Sequence, residues 1–380
     1  MNERRVFLVT GATGVVGSAL VPLLLAEPGT HVHLLLRASS DAALEARLND
    51  LLAYWGVNAD SDTLNVRLFG VRGDVTEQKL GMGDRDYSAL ARVVTNIVHS
   101  AGNVKLNQSI DVARTSAVFG VEQVIRFAHV CKTSGVVPKI EHLSTVGVAG
   151  RQPGLIPEEP LEGEYGYHNT YEQAKAEAER LMLREIQAGL PATIHRPSMV
   201  VGDSVDGRIM HFQVFYYLVP FLAGARTRGL LPEFGDVKLD IVPADYVAKA
   251  VVASSRRQDS IGRILHLCSG PEEAAPLAEL GETLRRFFSA HGERTFVPRY
   301  LPRALVRRLI RVAGAVIPGR AGRSLDTLPY FLDYLEEAQM FANRRTSEFL
   351  ATDGLYCPYV SQFLSPVLEY WFARRRSTTS

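Results

Sequence analysis

Apolar residues along this chain fall into short blocks that alternate with longer stretches of helical spacing. Val6 to Thr10 is an uninterrupted apolar run too short for a helix, and glycines follow at 11, 14 and 17. A run of that length bounded by glycine predicts a buried strand, and Val15 to Ala26 then takes up a helical pattern. The same reading predicts strands at His31 to Arg37, Leu64 to Phe69, Thr95 to His99, Lys139 to Leu143 and Ala192 to His195. Between them, Ala42 to Tyr54, Val112 to Cys131 and Tyr171 to Gln187 read as helices. Strands and helices in alternation predict an α/β fold built on a doubly wound parallel sheet. Beyond Gly202 the rhythm changes. Arg208 to Ala223 predicts an aromatic-rich helix, either over a ligand pocket or as an ordinary core stripe, and the loop Arg151 to Gly166 is either a flap or a solvated turn. Lys238 to Val242, a helix from Ala244 and a strand at Ile264 to Cys268 read as a return to the sheet. The expected division is 1–205 with 237–270 as one domain, and 206–236 with 271–380 as a smaller, mainly helical, substrate-binding one.

The glycines change the picture from fold to ligand. Gly11 permits the sharp turn after the strand, Gly14 lets a pyrophosphate approach the backbone, and Gly17 lets the helix pack on the strand. The segment from Gly11 through Thr13, Val15 and Val16 to Gly17 is therefore a candidate phosphate cradle at a helix N-terminus, with an ordinary turn as the plain alternative. An enzyme preferring NAD places an acid near the end of the second strand. Here Arg37-Ala-Ser-Ser40 and Arg47 stand instead, which suits a 2′-phosphate and so NADPH; the alternative is a solvated arginine at a strand end. Asp74 and Val75 follow the third strand, where an acid would reach the adenine. Ser100, Ala101, Gly102 and Asn103 open from the fourth strand, Ser144 and Thr145 from the fifth, and Arg196, Pro197 and Ser198 from the sixth. All lie at carboxyl ends of strands, where open α/β sheets hold ligands.

Composition narrows the class. The chain has 380 residues and a formal net charge of +1, so nothing global points to nucleic acid. The three cysteines, Cys131, Cys268 and Cys357, are far apart and in no metal-ligand spacing, which fits reduced core residues of a cytoplasmic protein without a metal. No signal segment and no apolar run of the ~20 residues a membrane helix needs is expected. Locally, eight arginines and no acid lie between Arg294 and Leu325. Helical spacing puts Arg303, Arg307, Arg308 and Arg311 on one arc with Leu305, Leu309, Val312 and Val316 opposite. This is either a docking face, for an acyl carrier protein, a CoA phosphate or an anionic membrane surface, or a solvated face of a packed helix.

Tyr171-Glu-Gln-Ala-Lys175 sets a phenol and an ammonium one helical turn apart on one face. With this pair the chain resembles the extended short-chain dehydrogenases/reductases, and within them the thioester-reductase and fatty-acyl-CoA-reductase branch, also called the male-sterility type. The resemblance rests on Thr10-Gly-Ala-Thr-Gly-Val-Val-Gly17, Ile97-Val-His-Ser-Ala-Gly102, His142-Leu-Ser-Thr145, Asn169-Thr-Tyr-Glu-Gln-Ala-Lys-Ala-Glu177, Arg196-Pro-Ser-Met-Val-Val-Gly-Asp203 and Asp240-Ile-Val-Pro-Ala-Asp-Tyr-Val247. It implies a Rossmann fold, and Thr145 and Tyr171 holding a substrate carbonyl oxygen while Lys175 binds the nicotinamide ribose. It implies NADPH-dependent oxidoreductase chemistry: an acyl thioester, on CoA or a carrier protein, reduced to the aldehyde and in some cases to the alcohol. Alternatives are a reductase or epimerase of a nucleotide sugar or sterol-like alcohol, and a cofactor-sensing protein without turnover. Physically, the ammonium is expected to draw the phenol's pKa down from near 10 toward neutrality, and Thr145 to donate to a developing oxyanion, with Ser144 as the fallback. The family commonly carries Asn where Ala117 stands, and Asn103 and Asn107 are the residues that would compensate.

Overall fold

The computed structural model describes residues 4–57, 66–106, 108–163, 165–306, 308–309 and 339–377. Its centre is a parallel sheet of seven strands: β1 (Arg5–Thr10), β2 (Thr30–Leu36), β3 (Leu68–Arg72), β4 (Asn96–His99), β5 (Lys139–Leu143), β6 (Ala192–Pro197) and β7 (Ile264–Leu267). Their spatial order is β7-β6-β5-β4-β1-β2-β3. The chain thus winds outward from β1 to β3, crosses back, and winds outward again from β4. Between β1 and β4 the winding reverses, which is where such sheets open a crevice.

β1, β4 and β5 are buried almost throughout because both faces of the sheet are covered. One face packs under α3 (Asp84–Ala91), α4 (Ile110–Arg114), α5 (Gly120–Thr133) and α6 (Thr170–Gln187), through Ile97, Phe127, Ile140, Ala178 and Ile194. The other packs under α1 (Val15–Leu25), α2 (Asp41–Trp55) and α8 (Ala244–Ser255), α7 (Val214–Leu222) lying elsewhere. A third cluster joins α7, α9 (Leu277–Ala290) and α11 (Val360–Ser377) around Phe215, Phe221, Phe288, Phe363 and Trp371. Helix α10 (Arg344–Ala351) sends Phe349 and Leu350 into the core of the sheet's second face.

Local chemistry accounts for the helix boundaries. Ser40 accepts from the Ala43 N–H and starts α2, and Asn169 accepts from the Glu172 N–H at 3.0 Å and starts α6. Inside α1, Pro22 has no N–H to give the Ser18 carbonyl. The indole of Trp55, at the end of α2, donates to that carbonyl at 2.8 Å instead. On β5, buried Glu141 bonds Lys139, His195 Nε2 at 2.7 Å and the Ser254 hydroxyl at 2.8 Å, tying α8 to the sheet.

Four sequence expectations are corrected. The helix expected over Arg208 to Ala223 is confined to Val214–Leu222, because Asp203 accepts from Val205 N at 2.8 Å and Asp206 from Arg208 N at 2.8 Å, holding the preceding residues in turns. The third strand runs over Leu68–Arg72, not Leu64 to Phe69, in register with Val32–Leu36. The helix expected over Val112 to Cys131 is interrupted by a π turn at Thr115–Phe119. The loop from Arg151 is not irregular throughout: Gly154–Ile156 pairs in parallel with Gln339–Phe341, and Gln339 Nε2 donates to the Gly150 and Gln152 carbonyls at 2.6 Å each, while Leu155 and Tyr165 remain exposed. Beyond it, Glu158 accepts from the Arg345 and Thr346 N–H groups at 2.8 Å.

Candidate active site

The glycine turn lies at the reversal of the sheet. Gly11 has φ +77°, and a Cβ on it would stand 2.5 Å from Ala101 N; a Cβ on Gly17 would stand 2.2 Å from Gly11 O. Only glycine lets β1, the β4 loop and α1 approach this closely. At Gly14 the nearest atom to a Cβ is Gly11 O, at 3.1 Å. Helix α1 begins there with no capping side chain and no acid in its first turn, so the N–H groups around Val15 and Val16 face an anion position. A backbone this close, at a helix start without a capping side chain, fits a dinucleotide pyrophosphate.

Around it stand the other residues picked from the sequence. Arg37 is exposed at the end of β2, and Arg47 reaches back from α2 to donate to the Arg37 carbonyl at 2.7 Å, which brings the Arg47 guanidinium to the end of β2. Ser40 is committed to its helix cap. Arg72, which the sequence reading passed over, ends β3 opposite Leu36 and lies 3.4 Å from Asp41. Only the strand register brings it to the Arg37 edge. Asp74 turns onto its own loop, accepting from the Thr76 N–H at 2.9 Å and hydroxyl at 2.8 Å, and Val75 packs beneath Gly120. Ser100 N and Ala101 N donate to the Thr10 carbonyl and hydroxyl, and the Ser198 N–H, following Pro197, donates to Leu267 O.

Gly102, Asn103, Gln108, Ala113, Ala117, Tyr171, Ala174 and Lys175 line one narrow crevice at this edge. Thr145 caps the turn Val146–Ala149 by accepting from Gly147 N at 3.1 Å, and its hydroxyl is hydrogen-bonded to that of Tyr171. The pair is thus joined at its oxygens. The expectation that Lys175 lowers the Tyr171 pKa is overturned. Burial, then the charge of Glu172, pushes the phenol up to about 12, and only the Thr145 hydrogen bond opposes this. The ammonium is turned away, donating to Leu143 O at 2.6 Å beside the place where a Cβ on Gly102 would lie 3.8 Å from it. Burial lowers Lys175 to about 8, against the pull of Glu179.

Ser144 is removed as the fallback for Thr145. Its hydroxyl donates to Glu179 at 2.5 Å, on a carboxylate also held by the buried guanidinium of Arg196. His99 and His142 stack at 5.6 Å between centroids, and burial holds both below the ordinary histidine range. Ala117 sits in the π turn, and Asn103 donates to Gln108 at 2.8 Å within the crevice; Asn107 lies outside the described residues.

The arginine arc is corrected too. Arg303 is spent on the Glu233 and Phe234 carbonyls at 2.8 Å, and Leu305 and Leu309, expected to be covered, are exposed while Val306 is buried. Arg308 is exposed; Arg307, Arg311, Val312 and Val316 lie outside the described residues. Among the described residues no cluster of metal-ligating side chains occurs, and no helix is long and apolar enough to cross a membrane.

The family model described as male sterility protein matches residues 9–251. An isonitrile lipopeptide synthase of Streptomyces coeruleorubidus is 30% identical over 254 residues, 66% of this chain and 16% of that protein. The aldehyde reductase lnbA of Aspergillus flavus is 28% identical over 274 residues, 70% of this chain and 26% of its own. The chain therefore spans about a quarter or less of these relatives. The crystal structure of the terminal R domain from the myxalamid PKS-NRPS biosynthetic pathway superposes with a TM-score of 0.81 at 26% identity, over 97% of this chain and 91% of that one.

Proposed function

The chain belongs to the male sterility protein family, and from that premise we propose that it is an NADPH-dependent reductase of acyl thioesters, carried by CoA or by a carrier protein. The observation that carries the reading is the Thr145–Tyr171 hydroxyl pair, with Lys175 one turn on, facing Gly102 at the edge where the glycine turn lies. Two of the similar proteins support it: the terminal R domain of the myxalamid PKS-NRPS pathway and the aldehyde reductase lnbA.

The cradle from Gly11 to Gly17 would take the pyrophosphate, and Arg37 and Arg47, joined by Arg72, favour a 2′-phosphate and hence NADPH. When bound, the nicotinamide supplies a hydride to the thioester carbonyl carbon. Lys175, fixed by Leu143 O, would hold the ribose hydroxyls. Thr145 donates to the carbonyl oxygen as negative charge grows there. Tyr171 keeps its proton at neutral pH because burial raises its pKa, and a protonated phenol is the form a reduction needs: it donates to the oxyanion and yields the hemithioacetal hydroxyl. Collapse with loss of the thiol gives the aldehyde, and a second reduction at the same hydroxyl pair would give the alcohol.

Ala117 favours a second reading, a binding protein without turnover. NADPH consumption with a panel of acyl-CoAs and acyl-carrier substrates, followed by product identification, separates the two. Turnover that falls ~100-fold or more in Tyr171→Phe with NADPH affinity unchanged supports the reductase. NADPH binding with no thioester consumed overturns it.

A further inference from the structure

Lys175 and Glu179 stand one turn apart on the same face of α6, both buried. Their heads meet the end of β5 at consecutive residues. The ammonium donates to Leu143 O at 2.6 Å, and the carboxylate accepts from the Ser144 hydroxyl at 2.5 Å. From β6, the fully buried Arg196 grips the same carboxylate through Nε at 3.1 and 3.2 Å and through Nη2 at 2.5 Å. Its Nη1 donates to Glu159 O at 3.0 Å and to His266 Nε2 at 3.1 Å. A guanidinium can only donate, so His266 Nε2 accepts and its Nδ1 carries the proton, donating to Ala342 O at 2.7 Å. The Glu179 carboxylate is therefore fixed from β5 and from β6.

A pair of charges this deep adds little net stability, because both are stripped of water and apolar side chains of similar volume would join α6 to β6 as well. The charge has a nearer use. We propose that Glu179 is a positioning residue for the reduction, its carboxylate, clamped by Arg196, serving Lys175 as a buried counter-charge. Burial favours the neutral amine at Lys175, and Glu179 opposes it. The other titratable groups around the ammonium hold their charge state between pH 7 and 9. His99 on β4 and His142 on β5 are kept below the ordinary histidine range by burial, and Tyr171 stays a phenol to about 12. The π turn Thr115–Phe119 and the turn Val146–Ala149 bring no titratable side chain, and Arg114 on α4 is spent on Glu177 at 2.7 Å. The proposal rests on the reductase reading only in placing Lys175 at the cofactor ribose.

NADPH affinity of the full chain, followed by cofactor fluorescence from pH 6 to 9.5, tests this without requiring turnover. In the parent, affinity is expected to weaken as pH rises through about 8, and Lys175→Arg is expected to abolish that limb. Glu179→Gln is expected to move the limb down by about one pH unit or more. Glu179→Asp, which keeps the charge, is expected to hold it near the parent value. Because Glu179→Gln leaves a buried guanidinium without its carboxylate, Glu179→Gln/Arg196→Gln, which removes both charges, is measured beside it and is expected to show the same lowered limb. A limb that stays near 8 in both Gln variants overturns the proposal. So does one equally lowered in Glu179→Asp, or one that survives in Lys175→Arg. NADPH binding with a movable limb but no thioester consumed sinks the reductase reading instead and leaves the Glu179 assignment standing.

Discussion

Lys175 and Tyr171 titrate in opposite senses, and this sets a pH profile. Lysine normally holds its proton beyond pH 10, but burial brings Lys175 to about 8, so its charge is lost as pH rises through that value. Tyr171, raised to about 12, stays a phenol across the same span. kcat/KM is therefore expected to be flat near neutrality and to fall ~10-fold per unit above about 8. Lys175→Arg should move that basic limb upward, because arginine does not titrate there; steady-state rates across pH check it. The adjacent hydroxyls should separate cleanly. Thr145→Val is expected to lower kcat ~100-fold or more with little change in stability. Ser144→Ala should leave kcat nearly unchanged but cost about 1–3 kcal/mol in urea unfolding, since buried Glu179 loses a donor. Arg37→Ala and Arg72→Ala are each expected to weaken NADPH about 10-fold without altering NADH, as measured by binding titration. Residue type, spacing and the family resemblance pointed to Arg37, Thr145, Tyr171 and Lys175 as candidates. Arg72 was hidden because it joins them only through the Leu36–Arg72 pairing, and the direction of the Tyr171 shift was hidden because desolvation depends on packing.

Among the elements, β1, β5 and α6 were legible because each carries its own signal. β1 is buried on both faces and so reads as a short apolar block, β5 leads straight into the Ser144-Thr145 pair, and α6 starts at a capping asparagine. The pairing of Gly154–Ile156 with Gln339–Phe341 was not legible: three residues have no periodicity, and the partner is remote in sequence. The π turn at Thr115–Phe119 was equally hidden, since Thr115 and Ser116 bond back to the Asp111 and Ala113 carbonyls within what reads as one helix. Helix α1 shows how one element leans on another. Trp55→Phe keeps the ring packing but strands the Ser18 carbonyl beside Pro22, and is expected to cost about 1–3 kcal/mol in urea unfolding. In a Pro22→Ala background, where the helix again supplies an N–H, the cost of Trp55→Phe should shrink.

At the scale of the whole molecule, the boundary of the family match is not a boundary of the fold. Residues 9–251 stop short of β7, which covers β6, and short of Phe349 and Leu350, which fill the core beneath the sheet. A fragment of that length exposes one side of β6 and a hydrophobic hollow. It is expected to be insoluble or to give no cooperative melt by circular dichroism, whereas the full chain melts cooperatively. The doubly wound sheet was visible in the alternation of strand and helix. The partnership of α10 with that sheet was not, because it links residues far apart in the chain.

Gln339, Arg345 and Thr346 hold Gly150, Gln152 and Glu158, in the stretch that runs between Thr145 and Tyr171. Anyone recombining this enzyme with a cousin thereby inherits a constraint: a crossover placed near residue 270 splits the clasp between two parents. Chimaeras should be spliced so that 150–159 and 339–346 travel together, or a foreign 339–346 segment will misalign the recipient's chemistry from some 190 residues away.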